Sequence, residues 1–206
     1  MKLWHIDSSV LGDNSASRKL SAAIVAQQAA LHPGLEVEYL DLAAAPVGHL
    51  SPAHIGAMFG HPPEDAATLA DIARGAGFID TLFAADIIVI GVPMYNFGLP
   101  TQLKAWADRV LVAGKTFKYG PDGVPFGLVP AGKKVYFAST RGGLYGPGSP
   151  AAPFEHQESH LKAMLGFIGL TDVTIFNADG LAIPDLKAPA IAAAEAAIAE
   201  FAFELA

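Results

Sequence analysis

The sequence contains no cysteine among its 206 residues. This absence excludes disulfide bonds, thiol redox chemistry, thiolate zinc sites and iron–sulfur clusters. Any redox activity of the chain therefore depends on a bound cofactor.

Charged residues are also scarce, at 16% of the chain, and the formal net charge is −7. Because there is no basic run or stripe, neither nucleic acid nor an anionic membrane is expected as a partner. No stretch reaches the roughly 20 uninterrupted apolar residues of a membrane span. Residues 1–6 are too short an apolar segment for a signal peptide, so we expect a cytoplasmic protein.

Apolar residues make up 52% of the chain, which is enough for a large core. No repeat or linker divides the sequence, so we expect one domain over residues 1–206. Hydrophobic periodicity predicts alternating strands and helices. The predicted strands are residues 3–6, 36–42, 87–90, 134–139 and 172–176, and the predicted helices are residues 18–31, 65–82, 101–113, 154–167 and 187–205. A helical turn is expected within residues 51–59 and a hairpin within residues 115–129.

This alternation predicts an α/β fold, with a doubly wound, five-stranded parallel sheet and helices on both faces. In such sheets, ligands bind outside the carboxyl ends of the strands. Three loops should meet at that edge.

The first loop, residues 7–17, is rich in hydroxyl groups and leads into a helix. Free N–H groups and the positive end of a helix dipole bind a phosphate, and serine side chains add donors. Ser15 or Ser17 could instead serve only as a helix N-cap. Gly12 stands alone, so the glycine-rich nucleotide motifs are not matched.

The second loop follows the β-branched run at residues 87–90 and contains two aromatic residues, an amide and a glycine. A flat aromatic ligand suits it, although Tyr95 and Phe97 could merely cover one end of the core. The third loop, residues 140–143, has two glycines that permit close approach of the backbone to a ligand. A phosphate and a flat ring are the two groups that a site for flavin mononucleotide, FMN, must bind.

Several motifs carry a resemblance to a known family: S-S-x-L-G-x-x-S-x-S at residues 8–17, P-M-Y-N-F at 93–97, P-x-x-L-K at 100–104, G-x-T-F at 114–117, R-G-G at 141–143 and G-F-I-G-x-T-D-V at 166–173. On these motifs the sequence resembles the FMN-dependent NADH:azoreductase family, whose members also reduce quinones. The resemblance implies a flavodoxin-like homodimer that holds one non-covalent FMN per subunit. It also implies NADH or NADPH as the electron donor, and a quinone or an aromatic azo compound as the acceptor.

The resemblance assigns three groups of cofactor-binding residues. The phosphate group is Ser9, Ser15, Ala16 and Ser17; the ring group is Met94, Tyr95, Asn96 and Phe97; the ring-edge group is Thr140, Arg141, Gly142 and Gly143. No catalytic acid or base is assigned, because solvent can protonate the product. Donor and acceptor should share one stacking surface, formed by Phe97 with Tyr119, Phe126 or Tyr145.

Three alternatives compete with this interpretation. His156 and His160 are four residues apart on a predicted helix, but Gln157 stands where a zinc protease has glutamate, so no metal site is expected. A hydrolase using Ser9 lacks the G-x-S-x-G elbow. A flavodoxin-type electron carrier would bind FMN without turning over a small substrate, and its usual strong acidity exceeds the net charge of −7.

Overall fold

The computed structural model describes residues 1–61 and 63–203. Seven strands are present in this part of the chain: β1 (Lys2–Asp7), β2 (Glu36–Asp41), β3 (Ile87–Pro93), β4 (Phe117–Tyr119), β5 (Pro125–Gly127), β6 (Lys134–Thr140) and β7 (Val173–Ala178). The six α-helices are α1 (Ala16–Leu31), α2 (Pro52–Met58), α3 (Ala66–Ala84), α4 (Thr101–Val110), α5 (Glu158–Phe167) and α6 (Pro184–Glu200).

The main sheet has five parallel strands in the order β2-β1-β3-β6-β7. If only the five strands of this sheet are numbered, β6 becomes the fourth and β7 the fifth. The order is then 2-1-3-4-5, which is that of flavodoxin-like folds. The predicted fold class is therefore confirmed. The remaining strands, β4 and β5, form the expected antiparallel hairpin.

Both faces of the sheet are covered because its central strand is apolar on both sides. All seven residues of β3 are buried. Ile88 and Ile90 pack in one cluster with side chains of α3, α4 and α5, whereas Ile87 and Val89 pack in a second cluster with α1 and α6. Each fully buried aliphatic side chain of this kind contributes about 1.5 to 3 kcal/mol to folding.

Two helix starts differ from the sequence-based prediction by more than two residues. A 3₁₀ turn occupies Ala152–Phe154, so α5 begins at Glu158 and not at residue 154. The sequence predicts Pro189 at the head of the last helix, but the helix begins at Pro184, which suits a first helical position, and Pro189 lies inside it. The helix ends at Glu200, so the predicted continuation is wrong for residues 201–203, and residues 204–205 lie outside the described residues.

Within the described residues, the longest helices lack the apolar length needed to cross a bilayer.

The β4–β5 hairpin lies at the amino end of the sheet. Helix α4 runs from the carboxyl edge of the sheet back to the amino end, and the hairpin follows it there. Just after the hairpin, Val129 N–H donates to Ile168 O, at the carboxyl end of α5, at 3.1 Å. Tyr119 and Phe126 lie in this hairpin, and their expected place on a stacking surface with Phe97 stays a prediction. The pattern of two aromatic arms predicted the hairpin but not the edge against which it packs.

Candidate active site

The carboxyl ends of β1, β3 and β6 open onto a cavity of about 250 Å³. Its lining residues come from the three predicted loops and from the start of α6: Ser9, Leu11, Asn14, Ser15, Ala16, Pro93, Met94, Tyr95, Thr140, Arg141, Gly142, Leu181, Ala182 and Lys187. The expected convergence of three loops at one edge is therefore seen in the structure.

The first loop presents hydrogen-bond donors at the start of α1. The hydroxyls of Ser15 and Ser17 are 3.0 Å apart, and Ser15 also caps the helix by accepting from Arg18 N–H at 3.3 Å. The N–H groups of Ala16 and Ser17 lie in the first turn, where no intrahelical acceptor exists. Two hydroxyls and two free amides are groups that suit an anion, and capping by Ser15 is compatible with that use.

The first and second loops are joined by a hydrogen bond between residues 86 positions apart. Ser9 Oγ lies 3.2 Å from the hydroxyl of Tyr95, which also accepts from Val10 N–H at 3.1 Å. The Tyr95 side chain therefore connects the two loops through its polar tip.

Arg18, on α1, holds the first loop through a backbone carbonyl. Its guanidinium donates to Ser9 O at 2.8 Å and pairs bidentately with Asp41 at 2.7 and 2.8 Å. The hydrogen bond from Arg18 holds the pKa of Asp41 below its usual value. The charge of Arg18 is thus balanced at the end of β2, and the residue fixes the backbone of Ser9.

The second loop is a tight turn in an uncommon backbone conformation. Tyr95 and Gly98 exchange two hydrogen bonds of 3.0 Å, and between them Asn96 and Phe97 have φ of 47° and 72°. Both residues are in the left-handed region, as in a type I′ turn, where asparagine is common and phenylalanine is strained. The turn holds the Phe97 ring 5.3 Å from Phe154 and 6.1 Å from Tyr145, measured between centroids.

We expect the strain at Phe97 to reverse the usual order of alanine and glycine. Both Phe97→Ala and Phe97→Gly remove the ring, so they differ only in backbone freedom. The glycine variant should be more stable by about 1 kcal/mol, since only alanine pays for the left-handed conformation. Urea unfolding of the flavin-free variants measures the difference. An alanine variant at least as stable as the glycine variant would show that residue 97 is unstrained.

The third loop continues the sheet beyond β6 by pairing with the segment after β7. Met94 N–H donates to Thr140 O at 2.8 Å, and Leu181 and Ala182 donate to Arg141 O and Gly142 O at 3.0 and 2.9 Å. The backbone of this loop therefore lies between the second loop and residues 181–182.

The side chain of Arg141 turns away from the cavity into the protein. It is 3% exposed, lies 2.6 Å from Glu158 in an ion pair, and is 3.6 Å from both Glu155 and Asp179. Burial raises the pKa of Asp179. Burial also favours a higher pKa at Glu155, but backbone donors at Glu158 and Gln157 and the charge of Arg141 outweigh it and lower the pKa. Arg141 is thus anchored among three carboxylates, and the loop offers its backbone to the cavity.

A model of the family described as having a flavodoxin-like fold matches residues 1–202. A relative from Xanthomonas campestris pv. campestris, named FMN-dependent NADH:quinone oxidoreductase, is 51% identical over 200 residues, covering 96% of this chain and 98% of the relative. The chain belongs to the FMN-dependent NADH:quinone oxidoreductase family.

Two further comparisons agree with this membership. A relative of the same name from Gluconobacter oxydans is 52% identical over 182 residues, covering 88% of this chain and 90% of the relative. The crystal structure of an azoreductase from Bacillus anthracis str. Sterne is similar at 28% identity with a TM-score of 0.87, covering 97% of each chain. The predicted family is confirmed, and the protein is an oxidoreductase.

The cavity brings together eight of the twelve site residues assigned from sequence: Ser9, Ser15, Ala16, Met94, Tyr95, Thr140, Arg141 and Gly142. Ser17, Asn96, Phe97 and Gly143 lie next to lining residues but do not line this cavity themselves. Sequence reasoning missed the contribution of the α6 start, which includes Lys187. Pro184 in a first helical position was the signal that could have located this start near the sheet edge.

The two histidines of the proposed metal alternative are not on one helix face. His156 precedes α5, and its N–H donates to Phe97 O at 3.0 Å, whereas His160 lies inside the helix. Within residues 1–61 and 63–203, no group of three or more histidine or acidic side chains is placed to hold a metal ion.

Proposed function

We propose that the protein transfers reducing equivalents from NADH or NADPH, through one non-covalent FMN per subunit, to quinones and aromatic azo compounds. The observation that supports this most directly is the pairing of a donor-rich helix start with an aromatic turn at one cavity. FMN is the cofactor named in the 51% identical relative. Its phosphate and its ring match the chemistry of these two loops.

The donor set fits a phosphate because it contains no carboxylate among the cavity residues of the first loop. Ser17 is fully buried, and its hydroxyl is bonded to Ser15 Oγ. Either hydroxyl can turn to donate to an incoming oxygen. We assign the phosphate to Ser9, Ser15, Ser17 and the Ala16 amide.

The ring site is assigned to the second and third loops. Met94, Tyr95, Asn96 and Phe97 would contact the flat ring, and the backbone of Thr140, Arg141, Gly142 and Gly143 would face its edge. When bound, FMN supplies the ability to accept two electrons from the donor and pass them on. Backbone N–H groups aimed at developing negative charge stabilise that charge without reorganising. No side chain is assigned as acid or base, and solvent provides the proton.

A single stacking surface implies that donor and acceptor bind in turn. The rings of Phe97, Tyr145 and Phe154 adjoin one another at the ring site, and the sequence has no second dinucleotide motif. NADH should therefore leave before the acceptor binds.

The purified protein should be yellow, with one FMN per chain that is released on denaturation. Steady-state oxidation of NADH with a quinone should give parallel double-reciprocal plots at several acceptor concentrations, as in ping-pong kinetics. Failure to oxidise NADH while binding FMN would favour the electron carrier. Intersecting lines, together with a ternary complex of donor and acceptor, would contradict a shared surface.

An exposed apolar surface on and after α2 supports a homodimer. It consists of Ile55, Met58 and Phe59, of which Phe59 is 78% exposed. The surface borders an apolar cavity of about 520 Å³ between α2, α3 and α4. Large exposed apolar patches are commonly covered by another chain, and we propose that a second copy covers this one.

Sedimentation should give about twice the chain mass of 21.4 kDa. Phe59→Asp should weaken the dimer by roughly tenfold or more, because an aromatic anchor is replaced by a charge that must be desolvated. The control is Leu31→Asp, which charges an exposed apolar side chain at the end of α1. A Phe59→Asp dimer as tight as the control would place the interface elsewhere.

A further inference from the structure

Residues 155–158, immediately before and at the start of α5, contact both loops of the ring site. His156 N–H donates to Phe97 O at 3.0 Å, which holds the second loop. Glu155 and Glu158 face the guanidinium of Arg141 in the third loop. The remaining residue of the segment, Gln157, contacts the chain at the start of both loops.

Gln157 is completely buried, and its amide is hydrogen-bonded at both ends. Nε2 donates to Val92 O at 2.5 Å and lies 3.5 Å from Thr140 O. Oε1 accepts from Arg141 Nε at 2.9 Å. One side chain thus joins the end of β3, just before the second loop, to the end of β6, where the third loop begins.

The two strands need this connection because their regular pairing stops here. The last pair in the β3–β6 register is Pro93 with Thr140, and proline has no N–H to donate. Beyond it, Met94 N–H to Thr140 O is the next backbone bond between the two loops. Val92 O is in a fully buried residue, and a buried carbonyl requires a donor. The Gln157 amide supplies that donor.

We propose that Gln157 is a positioning residue that fixes the second and third loops relative to each other and thereby sets the shape of the flavin ring site. This inference rests on the proposed FMN site. Gln157 reaches backbone atoms of both loops, so it acts on the ring through them. An error of about 1 Å in such a constellation is enough to weaken binding strongly.

Replacing the amide by a carboxyl group separates positioning from simple packing. Gln157→Glu keeps the shape, but a carboxylate cannot donate to Val92 O, whereas the protonated acid can. The charged groups that face this position are Arg141 at the end of β6, Glu155 and Glu158 at the start of α5, and Asp179 after β7. All of them are also present in the wild type, so the wild-type pH profile is the baseline.

The test is the FMN dissociation constant, measured by quenching of flavin fluorescence between pH 5 and pH 8.5, together with the visible spectrum of the bound flavin. Gln157→Glu should bind FMN roughly tenfold or more weakly at pH 8.5 and recover towards the wild type as pH falls. Gln157→Leu should bind weakly at every pH. Gln27→Glu, a half-buried position on α1, is the charge-matched control and should follow the wild type.

The outcomes distinguish this inference from the proposed function. If the wild type binds FMN and both Gln157 variants share its dissociation constant, pH profile and spectrum, the positioning role is overturned. If the wild type itself does not bind FMN, the proposed function fails first. Should Gln157→Leu unfold, as judged by circular dichroism, the pH profile of Gln157→Glu decides alone, because a fold-only role gives parallel profiles.

Discussion

Replacing Ser15 and Ser17 together by alanine should weaken FMN binding at least tenfold. In the proposed site each hydroxyl would donate to the phosphate at the start of α1, and hydrogen bonds to a charged group contribute about 1.5 to 3 kcal/mol each. The two hydroxyls lie 3.0 Å apart, so they act on the same small volume. Fluorescence titration of the flavin-free protein with FMN measures the loss. Riboflavin, which lacks the phosphate, should bind the variant and the wild type equally.

Ser15 is also the N-cap of α1, so its loss lowers stability as well as affinity. Asp65→Ala is the matched control, because Asp65 caps α3 by accepting from Thr68 N–H at 2.8 Å. Loss of the Ser15 cap should cost about 1 kcal/mol. Both changes should lower the free energy of unfolding, but only the serine pair should lower FMN affinity. Equal FMN affinity in the double variant and the wild type would remove the phosphate from this helix start.

Gly127→Ala should lower the free energy of unfolding by about 3 kcal/mol, at the upper end for overpacking. A Cβ at residue 127 would lie 2.2 Å from Ile168 C and 2.4 Å from Gly169 N. These are backbone atoms, which cannot turn aside as a flexible side chain would. The β4–β5 hairpin must therefore move away from the end of α5. For a chain of this size, we expect the melting temperature to fall by about 6 to 12 °C.

Gly166→Ala is the control for this change, since it adds the same methyl group two residues before Ile168. No atom lies within 4 Å of its Cβ, and the residue is helical. Alanine should be neutral or stabilising there by up to about 1 kcal/mol. Thermal unfolding of both variants checks the contrast. Because the hairpin lies at the amino end of the sheet, FMN affinity should be unchanged in Gly127→Ala; a loss of affinity would instead connect the hairpin to the cavity.

Local patterns determined much of this fold because they depend on neighbours in sequence. The β-branched run at residues 87–90 predicted a doubly buried strand, and every residue of β3 is buried. Hydroxyls before the first helix predicted a donor-rich helix start, and Ser15 occupies the N-cap. Local pattern did not locate the start of the last helix, because Pro184 and Pro189 both suit a first helical position and the structure uses Pro184.

Contacts between distant residues were decided only by the tertiary structure. Ser9 and Tyr95 are 86 positions apart, and their hydrogen bond depends on the register of β1 against β3. The same holds for Arg141, which the family resemblance assigned to the ring edge but whose guanidinium is paired with Glu158. Gln157 stood out in the sequence only as a departure from a zinc-binding motif, yet it connects two strand ends.

The sequence by itself determined the order of strands and helices, the family, and the residue types at the carboxyl edge. These follow from periodicity, from helix and turn chemistry, and from motifs that are continuous in the chain. The tertiary structure alone decided which way each polar side chain turns and which end of the sheet the hairpin occupies. The physical reason is that a buried donor or acceptor takes the partner that packing brings within about 3 Å, and sequence spacing does not encode that distance.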